Sequence, residues 1–237
     1  MANSVEHAPS VPTLSSTRAV ERALDLLAEV CAQGSIALSD CARRAEIPTS
    51  TALRLLRTLE NSDFVTRDAD GLFGAGPRLL QLGAAALGRN HLSKIAQPCL
   101  ERVVLATGES AYLAVRGPGD TALYLAVVEG THAIRHTSWV GRTVPLRASA
   151  VGAALRGDVG DLGYVALRSA VEPDVTSIAA PIRRPDGVAG AVSLVGPTYR
   201  ISDETMRHYG AMLHDEAAGL SAHFEALSST GRGVTRA

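Results

Sequence analysis

Pro48 is the residue that most constrains the first third of the chain. It stands between two runs of helical spacing, 38–45 and 49–60, and it disfavours helical geometry at the preceding residue, Ile47. Those runs therefore form two helices with a turn between them, not one continuous helix. The upstream run is Leu38-Ser39-Asp40-Cys41-Ala42-Arg43-Arg44-Ala45, and Ser39 is placed to cap it through its side-chain oxygen. Thr49 or Ser50 caps the downstream run, in which Leu53, Leu56 and Leu59 form one apolar stripe facing a small core. Upstream of both, Val20, Leu24, Leu27 and Ala28 recur at helical intervals among Glu21, Arg22, Asp25 and Glu29, until Gln33-Gly34 stops that helix. Downstream, 64–67 reads as a strand, 68–71 as a tight turn ending in Asp70-Gly71, and Leu72-Phe73 as a returning strand. Helix, helix, turn, helix and small hairpin is the order of a winged helix-turn-helix, here over 17–77.

The rest of the chain divides by pattern. Residues 1–16 and 229–237 read as disordered tails. Leu79, Leu80, Leu82 and Leu87 give the helix over 78–90 an apolar surface that must be buried against something, and a second subunit is the economical candidate. A further helix covers 91–107. Strand patterns then follow at 111–115, 123–128 and 133–137, with turns at 117–120 and 129–131. A short helix spans 148–155, more strands run at 175–182 and 188–195, and a last helix covers 203–227. Strands with segregated helices make 91–228 an α+β domain.

Composition removes several function classes. A net charge of −1 gives no global attraction to nucleic acid, so any such contact must be local. Lys94 is the single lysine, so cationic contacts fall almost entirely to arginine and its planar fork. Cys31, Cys41 and Cys99 show neither paired nor metal-ligand spacing, which argues against a disulfide framework or structural zinc. Residues 1–16 lack the apolar core of a signal peptide, and no run approaches membrane-span length, so a cytoplasmic location is expected.

The helix after Pro48 carries the local charge. Between residues 17 and 78 there are eight arginines and nine acids, so the segment as a whole is not basic. The acids nevertheless avoid 47–59, where Arg54 and Arg57 lie. In a helix-turn-helix the N-terminal part of the second helix meets base edges in the major groove. Thr49, Ser50 and Thr51 supply hydroxyls there, and Arg54 can fork onto guanine O6 and N7. Arg43 and Arg44 end the preceding helix, and Arg67 sits on the hairpin near a groove or phosphate. The competing reading of these arginines is an ordinary solvated face.

Several ordered motifs resemble the IclR family of bacterial regulators: Arg22-Ala23-Leu24-Asp25-Leu26-Leu27, the run 47–60, and Leu72-Phe73-Gly74-Ala75-Gly76-Pro77-Arg78-Leu79-Leu80. The second half agrees through Thr107-Gly108-Glu109-Ser110, the run 140–146, Ile178-Ala179-Ala180-Pro181-Ile182 and Ser193-Leu194-Val195-Gly196-Pro197. The resemblance implies a winged helix-turn-helix joined by a linker helix to a GAF-like effector-binding domain. It implies a homodimer or tetramer on double-stranded operator DNA, responding to a small organic acid or aromatic effector.

The resemblance also places an effector site at Ala148, Ser149, Ala150, Val151, Leu167, Ser177, Ser193 and Val195. N–H groups near Ala150 and Val151, with nearby hydroxyls, can hold a carboxylate. The sequence departs from the family pattern at three of these positions. Leu167 replaces an acidic residue, Ser177 a cysteine and Val195 a serine. Only residues 156–162 remain of a longer helical insertion, leaving a pocket that is smaller, more open, more apolar or lost. His132 and His136 stand four apart on the expected 133–137 strand and its approach, hence on one face, but no third metal ligand accompanies them. Trp139 either lines the pocket or packs in a core.

Two rival functions compete with this one. The first is an enzyme built on the second domain, which the absence of a GxSxG elbow, a Walker loop and a zinc-protease motif makes the weaker reading. Gly71-Leu72-Phe73-Gly74-Ala75-Gly76 falls on the hairpin and is no dinucleotide fingerprint, so no cofactor is expected. The other rival is a ligand-independent regulator with a degenerate pocket.

Overall fold

Helical spacing in the first third produces three helices, α1 (Arg18–Gln33), α2 (Leu38–Arg44) and α3 (Thr49–Asn61). The computed structural model of the protein describes residues 17–136 and 138–231. Short strands β1 (Ser35–Ile36), β2 (Val65–Arg67) and β3 (Phe73–Ala75) form an antiparallel sheet in the order β1-β3-β2. Leu26, Val30, Ile36, Cys41, Ala42, Ile47, Ala52, Leu55, Leu56, Val65 and Phe73 close one core beneath these elements. Leu53 is not among them. The buried face of α3 runs through Ala52, Leu55, Leu56 and partly Leu59, so the expected stripe is rotated by about one position.

The helix starts also differ from expectation. Ala37 precedes α2 and Pro48 precedes α3, and neither helix has a side-chain cap. Ser39 and Thr49 lie inside the first turns, where their hydroxyls are past the capping position. Helix α4 (Pro77–Arg89) follows and has no buried residue.

The chain divides into two compact units between Arg89 and Asn90. The second begins with α5 (His91–Thr107), capped by Asn90 Oδ1, which accepts from the Ser93 N–H at 3.1 Å. Six antiparallel strands follow: β4 (Ser110–Arg116), β5 (Thr121–Val128), β6 (Thr143–Pro145), β7 (Val165–Arg168), β8 (Val175–Arg184) and β9 (Gly187–Pro197). Their order is β6-β5-β4-β9-β8-β7. Helix α6 (Ala150–Arg156) lies between β6 and β7 in sequence, and a short 3-10 turn at Thr198–Arg200 precedes α7 (Asp203–Gly231).

Period-two alternation gives this sheet two apolar faces. Ala111, Leu113, Ile178, Ala180, Ile182, Val192 and Leu194 pack with α5 and α7. Tyr112, Ala114, Ala179, Ala191 and Val195 point to the other face and pack with α6. Ser202 Oγ caps α7 by accepting from the Thr205 N–H at 3.1 Å, and Asp203 and Glu204 favour its positive end. This helix continues to Gly231, past the expected end near 227 and into the segment expected to be a tail. Residues 1–16 and 232–237 of the expected tails lie outside the described residues.

Residues 133–136 are not a strand, contrary to expectation, and Thr137 of that segment lies outside the described residues. Side chains hold the segment instead. Glu109, 1% exposed, takes both of its oxygens to Arg200, which also donates to the Ile134 carbonyl at 2.9 Å. Ser110 Oγ donates to the His136 carbonyl at 2.9 Å. The sequence alternates there, but the Ile134 and His136 carbonyls are taken by these side chains rather than by a neighbouring strand.

Candidate nucleic-acid interface and ligand cavity

The outer face of α3 follows from which residues the core consumes. With Ala52, Leu55 and Leu56 inward, Thr49, Ser50, Arg54, Arg57 and Thr58 are exposed and Thr51 is half-buried. No acid occurs between Thr49 and Leu59. Because Pro48 offers no capping oxygen, the first-turn N–H groups of α3 have no side-chain partner. Such an end favours an anion through both its free donors and the helix dipole.

The other expected contacts are less free. Arg43 donates to Asp40 at 2.6 Å, although both are exposed and such a pair costs little to open. Arg44 is exposed. Arg67 donates to the Gly71 carbonyl at 3.1 Å and stacks on Phe73, with the guanidinium carbon 5.4 Å from the ring centroid. It therefore braces the tip of the hairpin.

In the second unit the α6 face of the sheet holds a cavity. Its floor is Ser177 and Val175 of β8, Val195 of β9 and Leu167 of β7. Tyr124, Val144 and the start of α6 at Ser149 and Ala150 form one wall, while His136 and Trp139 form another. Ala170, Val171 and Glu172, from the loop between β7 and β8, complete it. The space is about 400 Å³ when the open solvent at its mouth is counted, but the room inside it for water-sized spheres is only about 30 Å³, so it is a narrow cleft. The shortened 156–162 segment thus leaves a cavity in place.

Of the residues expected at an effector site, Ser149, Ala150, Leu167, Ser177 and Val195 line this space. Ala148 is exposed beside it, and Val151 is buried in the core beneath α6. Ser193 pairs across strands with Tyr112 and Ala179, on the cavity side of the sheet but behind its lining. Its hydroxyl is buried and has no hydrogen-bond partner among the described residues.

Ser149 does structural work. Its hydroxyl donates to the Pro145 carbonyl at 2.6 Å and accepts from the Gly152 N–H at 3.1 Å, capping α6.

Sequence reasoning missed the residues that give the cavity its polarity. Tyr112 Oη lies 2.6 Å from His136 Nδ1, and His136 Nε2 lies 3.5 Å from Glu172 Oε2. The His136 and Trp139 rings meet edge to face at 4.7 Å, and Trp139 meets Tyr124 at 6.0 Å. Trp139 therefore both packs and lines the cavity. Burial pushes the Tyr112 and Tyr124 phenols above the ordinary tyrosine range. His132 and His136 do not act as a pair. His132 stands 3.9 Å from Glu109, while His136 belongs to the Tyr112 and Glu172 group. Among the described residues no cluster could hold a metal ion.

Two family profiles match the chain. Residues 19–69 match the IclR helix-turn-helix domain, and residues 84–156 match the C-terminal domain of bacterial IclR transcriptional regulators. The HTH-type transcriptional repressor AllR of Escherichia coli is 25% identical over 225 residues, covering 79% of this chain and 83% of its own. The crystal structure of an IclR homologue from Microbacterium hydrocarbonoxydans complexed with 4-hydroxybenzoate is 26% identical, with a TM-score of 0.70, covering 88% of this chain and 99% of its own. A regulator from Alicyclobacillus acidocaldarius, 23% identical over 88% of this chain and 99% of its own, has the same fold at a TM-score of 0.73. The first unit carries the helix-turn-helix, the second carries the sheet domain with its cavity, and the chain belongs to the IclR family of DNA-binding transcriptional regulators.

Proposed function

We propose that α3 reads operator DNA and that a small organic effector in the cavity governs that binding. Thr49, Ser50, Thr51 and Arg54 contact base edges in the major groove, while Arg43, Arg44, Arg57 and Arg67 hold phosphates. The observation that carries this reading is the outer face of α3, acid-free and arginine-bearing at an uncapped helix start. A homodimer or tetramer presents two such helices to a repeated half-site.

The test is to select binding fragments from a random duplex pool with the pure protein, then titrate the selected site. Arg54→Ala weakens binding there by about 1–3 kcal/mol and relaxes preference at one base position. Unchanged affinity and preference in that titration sink the assignment of Arg54.

The cavity supports the effector reading by its place against the sheet and its mixed lining of aromatic, aliphatic and hydroxyl groups. A relative's complex with 4-hydroxybenzoate supports a small organic occupant. Titrating small ring compounds and short acids while following thermal unfolding separates this from a ligand-independent regulator. A true effector raises the unfolding temperature with concentration. A flat response across the panel favours the ligand-independent reading, to which the short 156–162 segment points.

A further inference from the structure

The polar groups around the cavity differ in what they still have to offer. Ser149 spends its one proton on the Pro145 carbonyl, so it has no donor left for an occupant. His136 has Tyr112 at one ring nitrogen and Glu172 near the other. Among the described residues that line the cavity there is no arginine or lysine, and the carboxylate is Glu172. Arg142 and Arg135 line the outer groove that adjoins the cavity at Glu172, His136 and Trp139 but not the cavity itself, and Arg142 stacks on Trp139 at 5.3 Å. Arg135 pairs with Glu129 at 3.1 Å. Three of the lining side chains are aromatic, and the others besides Ser149, Ser177 and Glu172 are aliphatic.

We propose that the cavity takes a small planar ring compound bearing a hydrogen-bond donor, neutral or cationic, and that Glu172 selects against carboxylates. This rests on the reading of the cavity as an effector site. A desolvated ligand carboxylate would face a like charge at Glu172, and the donors that could receive it, the Ser177 and Tyr124 hydroxyls, the Trp139 and His136 ring N–H groups and the first turn of α6, are all neutral groups or shared with Glu172. A donor group finds the Glu172 oxygens as its acceptor, in a charge-assisted hydrogen bond. The flat faces of Tyr124, His136 and Trp139 suit a ring. Of the two chemistries the family resemblance implies, acid and aromatic, the lining fits an aromatic without the acid.

Benzoate, benzamide and benzamidine test this, being close in shape but anionic, neutral and cationic. Trp139 is the only tryptophan in the chain. Its fluorescence in the full-length protein therefore reports on the cavity wall, with calorimetry as the second readout. Benzamide and benzamidine are expected to bind at least about tenfold more tightly than benzoate. Glu172→Gln, a substitution at a partly exposed loop residue, is expected to bring benzoate and benzamide to within about threefold of each other. Benzoate binding as tightly as benzamide to the unaltered protein overturns the charge selection and leaves the effector reading intact. Discrimination that survives Glu172→Gln removes Glu172 as the selector and overturns the proposal. No binding of any of the three by either readout at millimolar concentration overturns the proposal, and a flat response across the wider panel of ring compounds and short acids overturns the effector reading itself.

Discussion

Glu46 carries the turn between α2 and α3 with a φ of 53°, in the left-handed region that side chains with a Cβ avoid. It is exposed, and its N–H donates to the Arg43 carbonyl at 3.2 Å. Glu46→Gly is therefore expected to raise stability by about 0.5–1 kcal/mol, measured by urea unfolding. A fall in stability would show that the glutamate side chain contributes something the turn needs. At this scale the sequence was informative where a residue's own chemistry dictates its place. Pro48 marked the turn, and Arg54 and Arg57 fell on the exposed face of α3. It was uninformative where a partner decides. Ser149, Ser177 and Val195 reached the site by resemblance, whereas Tyr124, His136 and Glu172 come from three separate segments with no shared periodicity.

Helix α6 and the 129–142 segment are the elements that shape the cavity. At Gly152 a Cβ would run into the Leu146 carbonyl, so α6 can approach the β6 connection only with glycine there. Gly152→Ala is expected to cost about 2 kcal/mol or more by displacing the start of α6. Chemical unfolding checks the cost, and a shift in Trp139 emission checks the displacement. The stretch at His132 and Ile134 is held by Glu109 and Arg200. Arg200→Ala leaves Glu109 buried without its cation and should cost about 3–5 kcal/mol, read from the urea midpoint. A loss under about 1 kcal/mol would mean that water or His132 replaces the guanidinium. Helix existence was legible throughout because apolar spacing is a local signal. The starts of α2 and α3 were not, because each helix has its capping position one or two residues before the expected one, and the missing strand at 133–136 was not, because Arg200, distant in the chain, takes the Ile134 carbonyl.

Across the whole molecule the unresolved burial is that of α4. Leu80 is 67% exposed, Leu82 49% and Leu87 45%, and no residue of the helix is buried. Such a surface on a helix of 13 residues points to pairing with a second copy. Light scattering at micromolar concentration should give a dimer or a multiple of one, and Leu80→Asp with Leu87→Asp should reduce that mass. A monomer from the unaltered chain would contradict the pairing. The sequence by itself determined the first unit nearly whole, the helices and most strands of the second, and the family. These follow from spacing, proline and glycine placement, and ordered motifs, all encoded between near neighbours in the chain. The tertiary structure alone decided the chemistry of the cavity. It set Glu172 and His136 beside aromatic rings and spent the Ser149 hydroxyl on a helix cap. Which polar group stays available to a ligand depends on what its spatial neighbours have already taken, and no local pattern records that.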